Sequence, residues 1–209
     1  VLHPVKLTIT NYPEGQSEEF SVENNPNNPA DGTRPVSFSR HLYIESDDFM
    51  EEPAHKYFRM FPGNEVRLKG AFVAKCTGCV KDEHGNVIEV LAEYDPNSRG
   101  GDPSDGRKIK GTIHWVDAQT ALDAEIRVYE NLFNDADPDG GDKSFLDCLN
   151  PNSLEVLTGC KVEAALQNAP AENRYQFMRQ GYFCADSRDS SPDHLVFNRA
   201  VSLKDSFKA

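Results

Sequence analysis

Hydrophobic and polar residues alternate along short stretches of this chain, and turns rich in Gly, Pro, Asn and Asp separate those stretches. In the first stretch, Val5, Leu7 and Ile9 alternate with Lys6 and Thr8. A period of two is typical of a strand that buries one of its faces. The same alternation predicts further strands over 19–23, 34–45, 64–73, 72–80, 87–94, 107–116, 154–157, 174–185 and 195–203.

Turn and cap residues predict how the strands are connected. The segment 81–86 contains His84-Gly85-Asn86 and predicts a hairpin turn. Ser46 precedes several acidic residues and predicts the N-cap of a helical turn, and 145–149 predicts another such turn. The regions 117–134 and 161–167 fit a helix and a strand equally. Many short strands with frequent turns predict an all-β fold with a few short helices.

The stretch 94–116 combines turn residues with basic residues. Asp105-Gly106 is typical of a tight turn, and the residues after it predict a strand over 107–116. Lys108 and Lys110 would share one face of that strand, where they could contact phosphates. The plainer interpretation is a solvated hairpin with charged ends.

A second pair of cations lies on the strand predicted over 64–73. Arg67 and Lys69 would share a face opposite Val66 and Leu68. Two long cations on one strand face could hold a base edge and a phosphate. They could equally protect a sheet edge from aggregation.

The net charge of −12 argues against a protein that binds nucleic acid through general basicity. The charge is unevenly distributed. Residues 54–116 contain ten Lys and Arg against eight Asp and Glu, whereas the rest contains 12 against 26. A specific RNA site on the middle segment, with acidic flanks that suppress loose binding, is compatible with this distribution.

The cysteines and acidic loops do not predict a strong metal site. Five scattered cysteines are typical of a protein in a reducing cytoplasm rather than of a disulfide framework. Cys76 and Cys79 have zinc or redox spacing, but no second pair follows, so chance spacing is the plainer interpretation. The loop 134–144 resembles the start of an EF-hand, but Leu146 stands where calcium needs a Glu.

Signatures of a catalytic centre are missing from the sequence. It has no Gly-x-Ser-x-Gly, Walker or His-Glu-x-x-His motif, and we expect His114 in the core or at an interface. No run of 18 apolar residues predicts a membrane helix. The chain opens with Val1 rather than Met, so we expect it to be an excised part of a longer protein.

Seven motifs occur in a fixed order along the chain. They are HPVKL at 3–7, NPN at 25–27, GNEVRL at 63–68, DP-DGR-K-KG-IHWV at 102–116, EIRVY at 125–129, GYFC at 181–184 and FNR at 197–199. In this order they resemble the C-terminal anticodon-binding region of bacterial-type glutaminyl-tRNA synthetase. The resemblance implies two antiparallel β-barrels side by side, approximately 1–115 and 116–209, with end strands that can be exchanged between the barrels.

The resemblance also implies which residues contact the anticodon. Asn27 and Arg59 match positions that hold the third anticodon base. Arg67 and Lys69 match two arginines near the first base, and Lys69 departs from Arg. Without the resemblance, each of these is equally an ordinary turn or surface residue.

Further positions in the second half complete the implied RNA site. Gln176 and Arg179 match a pocket for the central base, and Lys204 and Ser206 match a C-terminal Arg and Thr near the same loop. Besides Lys69, three positions depart from the family pattern: Lys56 and Phe58 stand where the family has Gln and Lys, and Met178 stands where one relative has Glu. We expect Phe58 and Met178 to serve as packing residues.

The implied function is recognition of the glutamine anticodon by a cytoplasmic, monomeric ligase without membrane contact. Its glutamine chemistry, with ATP and Mg, would lie in a Rossmann catalytic domain upstream of Val1. No catalytic residue, metal or cofactor is expected within this chain. The alternatives are an archaeal or eukaryotic-type glutamyl-tRNA synthetase, which the HWV and GYF motifs disfavour, and a stand-alone β-barrel that binds ribosomal RNA.

Overall fold

The computed structural model describes residues 1–142 and 144–203, and within these ranges the secondary structure is almost entirely β. This confirms the predicted all-β fold class. The strands are β1 Pro4–Ile9, β2 Ser17–Glu23, β3 Thr33–Ser39, β4 His41–Glu45, β5 Glu65–Leu68, β6 Val73–Lys81, β7 Val87–Tyr94, β8 Gly111–Ile113, β9 Val116–Asp117, β10 Leu122–Tyr129, β11 Leu154–Val162, β12 Arg174–Phe177, β13 Gly181–Ala185 and β14 Leu195–Ser202.

The helical segments are single 3₁₀ turns. They comprise Pro29–Asp31, Ser46–Asp48, Pro96–Ser98, Phe145–Cys148 and Ala164–Leu166. The turn predicted after Ser46 is present, but its N-cap is Glu45 and Ser46 is its first residue, so that detail of the prediction is wrong. Within the described ranges, no helix has both the length and the apolar character needed to cross a membrane.

The chain divides into two compact units. Unit 1 comprises Val1–Leu122 and Cys160–Gln167, and unit 2 comprises Asp123–Gly159 and the chain from Asn168 onward. The last residues of β11 therefore belong to unit 1, although the strand begins in unit 2. The assignment of two anticodon-binding barrels to 1–115 and 116–209 stays a prediction.

Unit 1 is built on a seven-stranded sheet in the order β8-β5-β6-β7-β1-β4-β9. The predicted hairpin is confirmed: β6 and β7 are antiparallel, with Lys81 opposite Val87. The first strand lies between β7, to which it is parallel, and β4, to which it is antiparallel. This placement joins distant parts of the chain and could not be inferred from local spacing.

The core of unit 1 forms around aromatic rings contributed by separate strands and loops. Phe38 is fully buried, and its ring centroid lies 5.2 Å from those of Tyr12, Phe72 and Trp115. All three contacts have an edge-to-face or steeply inclined geometry, which aromatic quadrupoles favour. Phe20 adds a further ring at 6.1 Å. The core thus fixes the sheet that carries the basic residues described below.

Three strands of unit 1 that were predicted as continuous are interrupted. The strand over 34–45 separates at Arg40 into β3, which pairs with β2, and β4, which joins the seven-stranded sheet. The strand over 64–73 stops at Leu68, and a turn follows. The strand over 107–116 is replaced by an irregular segment followed by β8 and β9. After Leu68 the chain turns at Gly70, where φ is 75° and the N–H of Ala71 donates to the carbonyl of Leu68.

Unit 2 contains most of a five-stranded sheet in the order β11-β10-β14-β13-β12. The strand predicted over 174–185 is a hairpin, because residues 178–180 form a turn between β12 and β13. The hydrophobic core of unit 2 is smaller than that of unit 1. Phe177 stacks on Phe183 with centroids 4.3 Å apart, and Phe197 lies 5.3 Å from Phe177.

Candidate nucleic-acid interface

One edge of the unit 1 sheet gathers several basic residues. β5 and β8 run parallel there, with Arg67 beside Thr112 and Val66 beside Gly111. The chain before β8 brings two lysines to this edge, and the loop after residue 54 brings Phe58 and Arg59. We call this group the basic edge; its members are Phe58, Arg59, Arg67, Lys69, Lys108 and Lys110.

Arg67 is held in position by two partners on the loop that precedes β8. Its Nε and Nη2 donate to one carboxylate oxygen of Asp102 at 3.2 and 3.0 Å, and its Nη1 donates to the carbonyl of Ile109 at 2.5 Å. The neighbours Val66 and Leu68 are fully buried, which confirms the predicted alternation at Arg67. The guanidinium is therefore oriented before any ligand binds.

Lys69 does not share the strand face predicted for it. It lies in the turn after β5, where its side chain is exposed and its backbone N–H donates to the carbonyl of Ile113 at 3.0 Å. The carbonyl of Lys69 accepts a hydrogen bond from Trp115 Nε1 at 3.1 Å. The backbone is thus tied to the core, and the lysine belongs to the basic edge through the turn rather than through β5.

Arg59 is anchored through a buried acid. Its Nη1 donates to the carbonyl of Asp47 at 3.1 Å and lies 3.3 Å from Oδ1 of Asp48, whose side chain is completely buried. A buried carboxylate needs a charged partner, so this pair fixes the Arg59 side chain to the 3₁₀ turn. Part of the guanidinium surface stays exposed beside the loop.

Arg107 shapes the loop that carries the lysines. Its guanidinium donates to both carboxylate oxygens of Glu65 at 3.0 Å, to Asp95 at 2.9 Å and to Asp105 at 2.7 Å. These hydrogen bonds raise the pKa of Arg107 above its usual range. Because three acids accept hydrogen bonds from its guanidinium, we assign Arg107 to loop structure and not to RNA contact.

Lys108 and Lys110 are exposed on either side of Ile109, which is buried. They precede β8 and are not part of a strand, contrary to the sequence-based prediction. The alternation nevertheless survives in the extended segment, because the buried isoleucine separates two exposed lysines. Lys110 Nζ lies 5.2 Å from the centroid of the Phe58 ring.

Asn27 lies in the turn that connects β2 and β3. Its backbone N–H donates to Oδ1 of Asn25 at 3.0 Å, and the side chain of Asn28 caps the following 3₁₀ turn. Asn27 is exposed. Its place in the loop suits either a turn residue or a contact residue, and its role in binding the third base stays a prediction.

The predicted residues of unit 2 lie on the β12–β13 hairpin. Gln176 is exposed on β12 and pairs with Tyr182 of β13. Arg179 lies in the turn with a φ of 67°, a left-handed conformation that few non-glycine residues adopt. Lys204 and Ser206 lie outside the described residues. The contacts of all four with a central base stay predictions.

Two family models match this chain. Both are described as tRNA synthetases class I (E and Q), anti-codon binding domain; one matches residues 1–95 and the other residues 112–186. Together they account for most of the chain in order. The chain belongs to the anticodon-binding domains of the class I tRNA synthetases of the E and Q group.

Several glutamine–tRNA ligases are similar to this chain along its whole length. Glutamine–tRNA ligases from Clostridium kluyveri and Clostridium perfringens are each 52% identical over 100% of the chain. That of Cupriavidus taiwanensis is 54% identical over 99% of the chain. The chain spans 37%, 38% and 35% of these relatives, respectively.

Cys76 is one of the two cysteines whose spacing resembles a zinc or redox site. It is buried on β6, and burial raises the pKa of its thiol to about 11, which disfavours the thiolate that zinc requires. Among the described residues, no group of three or more His, Cys, Asp or Glu could hold a metal ion.

Sequence reasoning missed two features of the basic edge. Phe58 was expected to pack, yet it is 48% exposed with Lys110 beside its ring. The clamp around Arg107 was also unforeseen, because its acids come from three separate segments. A signal for the first feature was present: an apolar residue stands where the family has a lysine, between Lys56 and Arg59.

Proposed function

We propose that this chain is the anticodon-binding part of a glutamine–tRNA ligase and that it binds the anticodon loop of glutamine tRNA. The observation that carries the proposal is 52% identity to such ligases over the full chain. We propose that the whole protein joins glutamine to its tRNA with ATP and Mg²⁺, which would bind in a Rossmann catalytic domain outside this chain. We further propose that it works in the cytoplasm as a monomer.

The geometry of the basic edge suits recognition of an unpaired loop. Proteins read RNA sequence mainly at unstacked bases, which they stack on aromatic rings or guanidinium planes and hydrogen-bond along their edges. Arg59 and Arg67 present guanidinium groups that acids already orient. Exposed lysines nearby supply mobile charges for phosphates, a division of labour that follows from the different shapes of the two side chains.

We propose a division of the anticodon between the two units. Arg67 and Lys69 would lie near the first base, and Asn27 and Arg59 would hold the third. Gln176 and Arg179 would hold the central base, with Lys204 and Ser206 near the same loop. The amide of Gln176 can both donate and accept hydrogen bonds, which suits the edge of a uracil or cytosine.

The proposal is tested with the complete protein and glutamine tRNA, beside the same tRNA with its central anticodon base changed. We expect tighter binding of the unchanged tRNA and a steep loss of affinity with salt, because bound cations displace counterions. Arg67→Ala should weaken binding by about 1–3 kcal/mol if the guanidinium contacts a base. Arg188→Ala removes an exposed arginine from a unit 2 loop and serves as the matched control.

Two results would contradict the proposal. Equal affinity for the two tRNAs would show that the protein does not recognise the central anticodon base. An Arg67→Ala effect no larger than that of Arg188→Ala would return Arg67 to an ordinary surface role, in which it binds only Asp102 and the Ile109 carbonyl.

A further inference from the structure

We propose that Phe58 and Lys110 form a nucleotide-binding element at the basic edge. The exposed ring of Phe58 would stack on an unpaired base of the anticodon loop, and Lys110 would neutralise the phosphate beside that base. The inference rests on the proposed function and assigns a role to two residues outside the predicted site. It also replaces the expectation that Phe58 serves as a packing residue.

The ring of Phe58 is presented on a fixed backbone. A Cβ added at Gly111 would lie 1.9 Å from the carbonyl oxygen of Phe58, so the chain at Phe58 rests directly against the start of β8. Arg59, the next residue, is anchored to Asp47 and Asp48. The backbone is thus held on both sides while the ring stays 48% exposed. Such a ring can accept a base without rearrangement of its support.

Lys110 supplies the positive charge that an exposed aromatic ring alone lacks for binding a nucleotide. Its Nζ lies 5.2 Å from the ring centroid, within the range of a cation–π contact. An exposed contact of this kind is weak, so the ammonium can move toward a phosphate at little cost. Proteins that bind single strands combine these two parts, an aromatic ring for the base and a cation for the backbone.

Lys110 is the cation that lies against the Phe58 ring. Arg67 is committed to Asp102 and Ile109, and Arg59 to the buried Asp48. The lysine instead rests against an uncharged ring. A phosphate approaching Phe58 therefore meets a positive group held beside an uncharged ring.

Phe145 provides an internal control for exposure alone. It is also 48% exposed, on a 3₁₀ turn of unit 2. The loop before it, however, is acidic, with aspartates at 135, 137, 139 and 142. Acids beside a ring repel the phosphates that accompany any base. Phe145→Ala therefore separates the proposed role from a general effect of removing an equally exposed ring.

The test uses the complete protein and glutamine tRNA. Phe58→Ala should weaken binding by about 5-fold to 150-fold, the range expected for one stacked base, and Phe58→Tyr should keep most of the wild-type affinity. Phe145→Ala should change binding by less than about twofold, as expected for an uninvolved surface position. In double-mutant cycles, Phe58→Ala and Lys110→Ala should be non-additive, whereas Phe58→Ala and Lys108→Ala should add.

A spectroscopic readout covers the case in which Phe58→Ala fails to fold. Phe58→Trp keeps an aromatic ring in place, and tRNA should quench its fluorescence against the constant signal of buried Trp115. Phe145→Trp should show no quenching. If the wild-type protein discriminates the anticodon but Phe58→Ala behaves like Phe145→Ala, or Phe58→Trp is not quenched, this inference fails and the proposed function stands. If the wild-type protein does not discriminate, both fail.

Discussion

The two units bury their hydrophobic residues to different extents. Unit 1 surrounds Phe38 with four aromatic rings, and few of its large apolar side chains are exposed. The corresponding cluster of unit 2 is smaller. Its strongly exposed apolar residues are Tyr129, Leu132, Phe145, Leu146, Leu149, Leu154, Val156, Tyr182, Val201 and Leu203. We infer that unit 1 is the more stable of the two, because apolar burial dominates folding free energy.

The candidate RNA-contacting side chains of unit 1 are also held more firmly than those of unit 2. Arg59 and Arg67 of unit 1 are oriented by acids and backbone carbonyls. Gln176 of unit 2 lies on a short hairpin strand, and Arg179 occupies its turn with positive φ. A pre-oriented group loses less conformational entropy on binding. The comparison predicts a rigid contact surface in unit 1 and a contact surface in unit 2 that depends on hairpin geometry.

The largest effect should come from the core of unit 1. Phe38→Ala removes a fully buried ring and should cost about 3–5 kcal/mol of unfolding free energy. Phe177→Ala, in the smaller cluster, should cost less because its ring is only partly buried. Denaturant unfolding followed by Trp115 fluorescence reports unit 1, and circular dichroism reports both units. A larger loss for Phe177→Ala would reverse the stability comparison.

Glycine substitutions should break the two candidate surfaces separately. Gly111→Ala places a Cβ 1.9 Å from the carbonyl of Phe58, and Gly181→Ala places one 2.5 Å from the carbonyl of Val201. Each should cost about 1–3 kcal/mol, because backbone must move to relieve the clash. Thermal unfolding measures the cost, with exposed Thr112→Ala as the control. Unchanged stability in Gly111→Ala would show that the Phe58 segment is loosely held.

Acidification should destabilise the units in different pH ranges. Burial lowers the pKa of His114 in unit 1 from 6.5 to about 3, despite the nearby carboxylate of Glu163. The unfolded chain then binds the proton more readily, so this stabilisation is complete above pH 6.5 and falls toward pH 3, by at most about 1.4 kcal/mol per pH unit. Denaturant titrations at several pH values should show a flatter dependence for His114→Gln.

In unit 2, the comparable group titrates at lower pH. Hydrogen bonds from the Asp189 backbone and the Asn198 amide, among others, lower the pKa of Asp186 from 3.8 to about 2. Its contribution is therefore present above pH 3.8 and lost as pH falls toward 2. Asp186→Asn should leave the response between pH 6.5 and 4 unchanged. A changed response between pH 6.5 and 4 would mean that Asp186 of unit 2, and not His114 of unit 1 alone, causes the destabilisation in that range.

The smallest effect concerns the acid that orients Arg67. Asp102 is 86% exposed, and Asp102→Asn should change stability by less than about 1 kcal/mol, as for most surface ion pairs. It should raise tRNA affinity by roughly two- to fivefold, because a repulsive charge leaves the basic edge. Asp142→Asn removes an equal charge from an exposed loop of unit 2 as the control. Weaker binding by Asp102→Asn would mean that orientation of Arg67 outweighs the charge.

Much of the fold could be predicted from local pattern. The β6–β7 hairpin, the last strand and the burial alternation around Arg67 follow from residues close in sequence. The interruptions at Arg40 and before Gly111 could not, because β3 and β4 pair with different strands and β8 pairs with β5, which is distant in sequence. Likewise, the region 117–134 fitted two structures until the pairing of β10 with β14 selected a strand.

The all-β class, the family and the residue types that an anticodon site requires can be predicted from the amino-acid sequence. Alternation and turn chemistry are local, and ordered motifs persist in the one-dimensional chain. The folded arrangement establishes which cations are held by acids and which lie beside an exposed ring. Those differences arise between residues far apart in sequence, such as Arg67 and Asp102 or Phe58 and Lys110, and their positions follow from strand pairing.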